Sequence, residues 1–270
     1  MARRVVFCGY GWMAGYVEAK LTADNINNWH VAATTTTPDK AERLKAKGID
    51  SYIFKLGDDT VNLVSLLSHS TLILNIPPGR RRADFEAYTH QMKSLVNDAL
   101  EANVEQIVFI STTSVYGDSH SNKITETSAT QPETSSAIAH VAIENHLLVN
   151  APHCSTIVRL SGLIGPDRHP VNSLSGRHLK QGNKRVNLVD GRDVAEALVS
   201  VISRVPRGEV FHLSSPSHPK RGDYYTKLAS ERELTLPTFD DTDKPPCGKV
   251  INAEKSWQAL GVTPKFGDLA

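Results

Sequence analysis

Residues 5–15 read Val5-Val6-Phe7-Cys8-Gly9-Tyr10-Gly11-Trp12-Met13-Ala14-Gly15, an apolar run that ends in two glycines and continues into helix-forming residues. The pattern predicts a β-strand, a tight turn and the start of a helix, where free backbone N–H groups can hold a pyrophosphate. Gly9, Gly11 and Ala14 fit the G-x-G-x-x-A spacing of dinucleotide-binding proteins. Glycine-rich turns are common, so it is the position between a strand and a helix that favours a dinucleotide site over an ordinary turn.

Composition and charge narrow the classes of function. The chain has 270 residues, enough for one large α/β domain or a main domain with a small lobe. A net charge of +1 provides no basic surface for nucleic acid or for an anionic membrane. Cys8, Cys154 and Cys247 are far apart and odd in number, which predicts neither a disulfide framework nor a metal site. No apolar run approaches the ~20 residues of a membrane-spanning helix, and we expect a cytoplasmic protein.

Strand-like and helix-like segments alternate along the first part of the chain. The predicted strands are 5–8, 30–35, 51–56, 71–76, 106–111 and 155–161. The predicted helices are 13–21, 37–48, 60–68, 83–102 and 134–150. This alternation predicts a doubly wound α/β fold with a parallel Rossmann sheet covered on both faces. The dinucleotide-binding domain is expected over residues 1–160, and residues 161–270 form mainly a small C-terminal substrate lobe, interleaved with late strands of the sheet.

The end of the second strand usually distinguishes NAD from NADP. An acidic residue there would hold the ribose hydroxyls of NAD and repel the 2′-phosphate of NADP. The chain instead has four threonines at 34–37, with Lys40 and Arg43 one helical turn beyond. Thr35 and Thr36 are therefore candidate cofactor-binding residues, and the nearby cations modestly favour NADP. The alternative is that β-branched threonines merely suit a strand.

Five ordered motifs carry a resemblance that spans nearly the whole chain. They are VFISTTSVYGD at 108–118, ITE at 124–126 with Pro132, VRLSGLIGP at 158–166, DVA at 193–195 and ALG at 259–261. Together they resemble the extended short-chain dehydrogenase/reductases, the NAD(P)-dependent epimerase/dehydratase group. The glycine–tryptophan turn, Arg159-Leu160 and Asn187-Leu188-Val189 are similar to the bacterial YeeZ-type subgroup of atypical members.

The resemblance implies that the usual catalytic pair is replaced. The family uses Tyr-x-x-x-Lys on one helix, where the lysine lowers the pKa of the tyrosine and the tyrosine moves the substrate proton. Ser136 stands at the tyrosine position and His140 at the lysine position. A lone serine hydroxyl is too weak an acid to replace a phenol of pKa ~10. Two interpretations stay open: a Ser136–His140 couple, or two helix-face residues left after the pair was lost.

The resemblance also implies roles for other residues around the cleft. Thr112 matches the family's substrate-binding Ser/Thr, and Arg168 lies where nucleotide-sugar enzymes bind their substrate. Tyr116 is a candidate substitute acid, although it also suits packing at a turn with its hydroxyl at the rim. Further candidate cofactor contacts are Trp12, Met13, Asp58, Ile76, Pro77 and Leu163.

Arg80, Arg81 and Arg82 follow the fourth predicted strand. One of them could grip an anionic substrate or a 2′-phosphate, but a charge run is more often a solvated surface.

Two functions are compatible with these residues. The first is an atypical oxidoreductase or epimerase that uses NADP or NAD on a nucleotide sugar or related hydroxylated substrate. The second is a cofactor-binding protein without redox turnover, such as a sensor or scaffold. Thr112 and Arg168 favour the first, whereas Ser136 and His140 favour the second. Relatives often dimerise through two helices each, which implies a homodimer.

Overall fold

The protein was described by a computed structural model that covers residues 3–23, 28–79, 84–119, 123–204, 207–267 and 269. Its strands are β1 (Arg3–Cys8), β2 (Trp29–Thr35), β3 (Asp50–Ile53), β4 (Ser70–Leu74), β5 (Gln106–Thr112), β6 (Lys123–Ile124), β7 (Ser155–Leu160), β8 (Gly162–Ile164), β9 (His178–Leu179), β10 (Leu188–Asp190), β11 (Glu209–Leu213), β12 (Thr238–Phe239) and β13 (Val250–Ile251). Its helices are α1 (Trp12–Ala23), α2 (Pro38–Lys45), α3 (Val61–Val64), α4 (Phe85–Glu101), α5 (Ser135–Asn150), α6 (Val171–Leu174), α7 (Gly191–Arg204), α8 (Arg221–Glu231) and α9 (Glu254–Leu260).

Seven of these strands form one parallel sheet in the order β11-β7-β5-β4-β1-β2-β3. From residue 5 to residue 8 the strand β1 is apolar on both faces, because both faces are covered there. Its side chains alternate: Val5 and Phe7 pack in one core with α1 and α7, whereas Val6 and Cys8 pack in a second core with α4 and α5. The doubly wound parallel sheet predicted from the alternation is confirmed.

The order of the strands places the reversal of the sheet between β1 and β4. From β1 the chain moves outward to β2 and β3, then returns to β4 and continues to β5, β7 and β11. In open α/β sheets ligands bind at the carboxyl ends of the strands at such a reversal. The glycine turn after β1 therefore lies at the place where this architecture puts a ligand.

The part of the chain after residue 160 contributes both to the central sheet with its covering helices and to a separate small lobe. Strand β11 lies at the edge of the central sheet beside β7, and α7 packs against α1. The remaining strands in this part form short two-stranded pairs, and β13 pairs with β6. A separate small core there contains Ile164, Val171, Tyr224 and Tyr225. None of the helices within the described ranges is long and apolar enough to cross a membrane.

Several predicted elements are shorter in the structure, among them the third strand and the short helix that follows it. The third strand ends at Ile53 because the chain turns at residues 55–58, where Gly57 has φ +99° and the Asp58 carboxylate accepts the Lys55 N–H at 2.8 Å. The helix predicted over 60–68 is one turn, Val61–Val64, followed by further turns. Apolar runs of this length do not distinguish an extended segment from a turn that buries its apolar side chains.

Candidate dinucleotide and substrate site

The turn between β1 and α1 is held by backbone and side-chain hydrogen bonds. The Gly9 N–H donates to Thr34 Oγ1 at 2.9 Å, and the Asn75 amide nitrogen donates to the Gly9 carbonyl at 3.2 Å. Gly9 has φ +94°, and a Cβ on it would lie 2.7 Å from the Asn75 carbonyl oxygen. Glycine is therefore required at this position, both by conformation and by space. No acidic residue lies in the first turn of α1, so its free N–H groups face no competing carboxylate of their own helix.

The threonines at the end of β2 have different environments. Thr34 is buried and accepts the Gly9 N–H, so its hydroxyl already serves the glycine turn. Thr35 is buried, and Thr36 is exposed just beyond the strand. Lys40 donates from Nζ to the Tyr10 carbonyl, and Nζ lies 5.7 Å from the centre of the Tyr10 ring. A cation thus lies directly beside the turn.

A cavity of about 420 Å³ lies at the carboxyl ends of β1, β4, β5 and β7. It is lined by Gly11, Trp12, Met13, Asn75, Ile76, Pro77, Pro78, Ile110, Ser111, Thr112, Ser114, Ser136, His140, Leu160, Ser161, Leu163 and Arg168. Most of the predicted site residues are brought together here. Those that do not line it are Gly9, Thr35, Thr36, Asp58 and Tyr116.

A larger cavity, about 880 Å³, lies beside Trp257 and α9 and contains none of the predicted site residues. Arg80, Arg81 and Arg82 lie outside the described residues.

His140 is bonded to a backbone group rather than to the Ser136 side chain. Its Nδ1 lies 2.8 Å from the Ser136 carbonyl oxygen, and since a carbonyl only accepts, Nδ1 carries the proton. The ring stacks on Phe109, with the two centres 5.8 Å apart. Burial lowers the pKa of His140, so the imidazole is neutral near pH 7 and Nε2 is an acceptor. The hydroxyl–imidazole couple considered for Ser136 and His140 is therefore not formed.

Thr112 and Ser114 stand together at the end of β5. The Ser114 N–H donates to Thr112 Oγ1 at 3.2 Å, and the two hydroxyl oxygens are 3.0 Å apart. The following turn, Thr113–Tyr116, is held from the C-terminal part of the chain by Lys249, whose Nζ donates to the carbonyls of Thr113 (3.0 Å) and Gly117. Ser114 and Lys249 were not among the predicted site residues: Ser114 lies inside the 108–118 motif but was not singled out, and Lys249 belongs to none of the motifs.

Tyr116 is not at the rim of the cleft, which corrects the sequence-based placement. It is completely buried, and its hydroxyl oxygen lies 2.5 Å from His212 Nε2 and accepts from Arg159 Nη1 at 2.5 Å. Burial raises the pKa of Tyr116 to about 12. Such a phenol, enclosed by its own partners and absent from the cavity lining, has no path to a substrate proton.

Tyr116 belongs to a buried polar network beneath the cavity. Arg159 donates to both carboxylate oxygens of Glu144, with Nη2 2.6 Å from Oε2, and Ser111 Oγ donates to Glu144 Oε1 at 2.5 Å. Both side chains of the ion pair are almost completely buried. Each charge is thus neutralised and hydrogen-bonded, which is the condition for burying it.

Trp12 joins the glycine turn to the loop after β8. Its Nε1–H donates to the Asp167 carboxylate at 3.0 Å, and the Arg168 guanidinium carbon lies 5.2 Å from the centre of its ring. A Cβ on Gly165 or on Gly191 would lie 2.6 Å from the indole ring. Glycine at these two positions therefore makes room for the indole between two segments of the C-terminal part.

These features define the class of protein first. A parallel sheet that reverses at β1, with a glycine turn opening a helix and a polar cavity at the strand ends, is a dinucleotide-binding α/β protein of the Rossmann type.

Comparison with known proteins then gives the family. The model of the NAD dependent epimerase/dehydratase family matches residues 9–214, more than half of the chain. Protein YeeZ of Escherichia coli K12 is 31% identical over 271 residues, covering 98% of this chain and 97% of YeeZ. The chain belongs to the NAD dependent epimerase/dehydratase family, and the resemblance inferred from its motifs is confirmed.

Solved structures share the fold. UDP-glucose 4-epimerase of Thermotoga maritima with UDP-glucose superimposes with a TM-score of 0.80 at 19% identity, covering 97% of this chain and 94% of that one. MoeE5 in complex with UDP-glucuronic acid and NAD gives a TM-score of 0.79 at 19% identity, with 98% and 95% covered. At this identity the likeness establishes the architecture alone.

Proposed function

We propose that the chain binds NADP or NAD in the cavity and acts on a nucleotide sugar or related hydroxylated compound, without the family's tyrosine–lysine pair. The observation that carries the proposal is the continuity of the cavity. One space of about 420 Å³ connects the start of α1, at Gly11–Met13, with Thr112, Ser136 and His140. The epimerase of T. maritima was solved with UDP-glucose, and MoeE5 with NAD and UDP-glucuronic acid, which supports this pair of ligands.

The residues present fit a dinucleotide. The start of α1 offers unpaired N–H groups beside glycines, which suits a pyrophosphate. Ser161 lines the cavity, and its buried hydroxyl has no hydrogen-bond partner within the described part of the chain. A buried hydroxyl without a partner costs about 1–3 kcal/mol, and a bound polar ligand would relieve that cost. A bound nicotinamide would supply the hydride donor or acceptor.

The side chains at the far end of the cavity would act on the substrate. Thr112 would orient a substrate oxygen through its hydroxyl. His140 would accept a proton from a substrate hydroxyl at Nε2, because Nδ1–H is engaged by the Ser136 carbonyl. Glu144, one turn further along α5, raises the pKa of His140 against the effect of burial and so favours the protonated product of that step.

A specific observation favours the alternative, a cofactor-binding protein without redox turnover. The described residues that line the cavity include no tyrosine, lysine or carboxylate, and Tyr116 is enclosed beneath it. General acid–base help of the usual kind contributes roughly 10²–10⁴-fold in rate. Turnover by the wild type would accordingly be absent or very slow.

One experiment separates the two functions. Cofactor reduction and oxidation are followed with UDP-glucose, UDP-glucuronic acid and their keto-sugar relatives, for the wild type and for Ser136→Tyr/His140→Lys. Slow turnover by the wild type together with faster turnover by the double variant supports a lost catalytic pair. Rapid wild-type turnover that disappears in His140→Gln supports the catalytic proposal and contradicts the alternative. A wild type that binds neither NAD nor NADP contradicts both.

The preference for NADP, the homodimer and the cytoplasmic location stay predictions from the sequence. Lys40 lies beside the glycine turn and supports the preference for NADP, since its positive charge would attract the 2′-phosphate of a dinucleotide bound at that turn. The groove between α4 and α5 is lined by apolar and polar residues, including the exposed Ile138, and supports a two-helix contact between copies. Size-exclusion chromatography with light scattering tests the dimer.

A further inference from the structure

Arg168 was expected to contact the substrate, but its surroundings indicate a different ligand. Its guanidinium carbon lies 5.2 Å from the centre of the Trp12 ring, and Trp12 is the first residue of α1. Arg168 lines the same cavity as the backbone of the glycine turn. The side chain is therefore held beside the start of α1, which is the end of the cavity where the pyrophosphate is expected.

The loop that carries Arg168 is rigidly attached. The backbones of Gly165 and Arg168 bond to each other in both directions, at 2.8 and 3.2 Å. Asp167 between them accepts the Trp12 indole N–H at 3.0 Å and the Tyr16 hydroxyl at 3.4 Å. Both partners of Asp167 are side chains of α1. The position of Arg168 is thereby set relative to α1 and not merely to its own lobe.

The charge of Arg168 is available for a ligand. Among the described residues, no carboxylate forms an ion pair with Arg168. The neighbouring Asp167 carboxylate instead accepts hydrogen bonds from the Trp12 indole N–H and the Tyr16 hydroxyl. The cavity lining contains Arg168 and a helix N-terminus but no described acidic side chain. Two positive features that face one space without a counter-charge select an anion. A guanidinium fork matches two oxygens of a phosphate group.

We propose that Arg168 binds the pyrophosphate of the dinucleotide together with the start of α1, so that a residue of the C-terminal lobe closes the cofactor site. Trp12 and Asp167 act as positioning residues, because they hold the arginine over the turn. The inference rests on the proposed cofactor binding and deepens it. It assigns Arg168 to the cofactor instead of the substrate. It also means that the indole ring of Trp12 connects the glycine turn to the C-terminal lobe.

The test measures the affinity of ADP-ribose, which has the pyrophosphate but no nicotinamide, and of UDP-glucose by titration calorimetry. Arg168→Met should weaken ADP-ribose binding about ten-fold, which is ~1.4 kcal/mol. The affinity of Arg168→Lys for ADP-ribose should lie between those of the wild type and Arg168→Met, since lysine keeps the charge but lacks the planar guanidinium fork. The matched control is Arg177→Met, an exposed arginine of the same lobe that does not line the cavity. Because Arg168 is exposed, the thermal midpoint should be the same in all variants.

Each other result overturns the inference in a recognisable way. If Arg168→Met binds ADP-ribose as tightly as the wild type and Arg177→Met, the arginine does not hold the pyrophosphate. If the variant loses affinity for UDP-glucose alone, Arg168 is a substrate residue, as the family resemblance implied. If the wild type binds neither ADP-ribose nor NAD, the proposed function itself fails. A failure of the inference alone leaves wild-type binding of NAD intact.

Discussion

The two ends of the cavity are built on different principles. We call the end at the start of α1, where the cofactor is proposed to bind, the cofactor end, and the end at Thr112, Ser136 and His140 the catalytic end. At the cofactor end, the groups proposed to bind the ligand belong to the backbone. Gly9 adopts φ +94°, and α1 begins at Trp12 without an acidic residue in its first turn. At the catalytic end, Ser136 and His140 line the cavity, and Tyr116 faces away into a buried network. A backbone site is recognisable from glycines and spacing, whereas a side-chain site depends on which way each group points. The comparison predicts that breaking the buried network beneath the catalytic end lowers stability, and that covering the start of α1 weakens cofactor binding.

The largest expected effect is the loss of stability when the network at the catalytic end is broken. Arg159→Met leaves Glu144 buried without its counter-charge, because both side chains are almost completely buried. The free energy of unfolding should fall by about 3–5 kcal/mol, measured by urea denaturation.

The matched control is Arg207→Met, which breaks the exposed ion pair with Glu105. A solvent-exposed pair is worth about 0–1 kcal/mol, so this variant should unfold nearly as the wild type does. Equal losses in the two variants would show that the buried pair has no special role in stability.

At the cofactor end, the expected effect is on binding and not on folding. A Cβ at Gly11 would lie 3.7 Å from the Asn75 amide nitrogen, an ordinary contact, so Gly11→Val should fold. Its side chain would cover the N–H groups at the start of α1, and NADP affinity should fall at least ~100-fold, about 2.7 kcal/mol. Calorimetry measures the affinity and circular dichroism the fold.

Gly9→Ala serves as the contrasting variant. Its Cβ would lie 2.7 Å from the Asn75 carbonyl oxygen, so this change should destabilise the fold itself. If Gly11→Val binds the cofactor as tightly as the wild type, the pyrophosphate is held elsewhere.

A smaller expected effect is the contribution of His140 to the pH dependence of stability. The pKa of His140 is lowered by burial, so the unfolded chain binds its proton first as the pH falls below ~6.5. The contribution of His140 to stability is therefore fully present above pH ~6.5 and decreases on acidification, by up to ~1.4 kcal/mol per pH unit until the lowered pKa is reached. Urea denaturation of the wild type and His140→Gln at about pH 7.5 and about pH 5 isolates this contribution. A larger acid sensitivity in the variant would contradict the neutral, buried imidazole.

The smallest effect is the choice between the two cofactors. With no acidic residue at 34–37 and with Lys40 beside the glycine turn, NADP should bind more tightly than NAD by ~1 kcal/mol. Lys40→Met should reduce the difference, and raising the salt concentration should reduce it in the wild type. A clear preference for NAD would indicate that Asp39 or another acid holds the ribose hydroxyls.

The sequence by itself determined the architecture and the family. Apolar runs such as Val5–Cys8 are continuous because parallel strands are buried on both faces, and that pattern is visible without coordinates. The glycine turn was equally visible, since only glycine tolerates the conformation and the crowding found at Gly9. Motif order sufficed to identify the family, because five spaced patterns rarely agree by chance.

Only the tertiary structure decided what the polar side chains do. Tyr116 stands three residues after Thr113, and nothing in that spacing indicates that Arg159 and His212 enclose its hydroxyl. Likewise, Trp12 and Asp167 are 155 positions apart, yet their bond ties the glycine turn to the C-terminal lobe. Local periodicity follows from the geometry of one strand or helix. The direction and partner of a side chain depend instead on segments that are distant along the chain, and these meet only when the chain has folded.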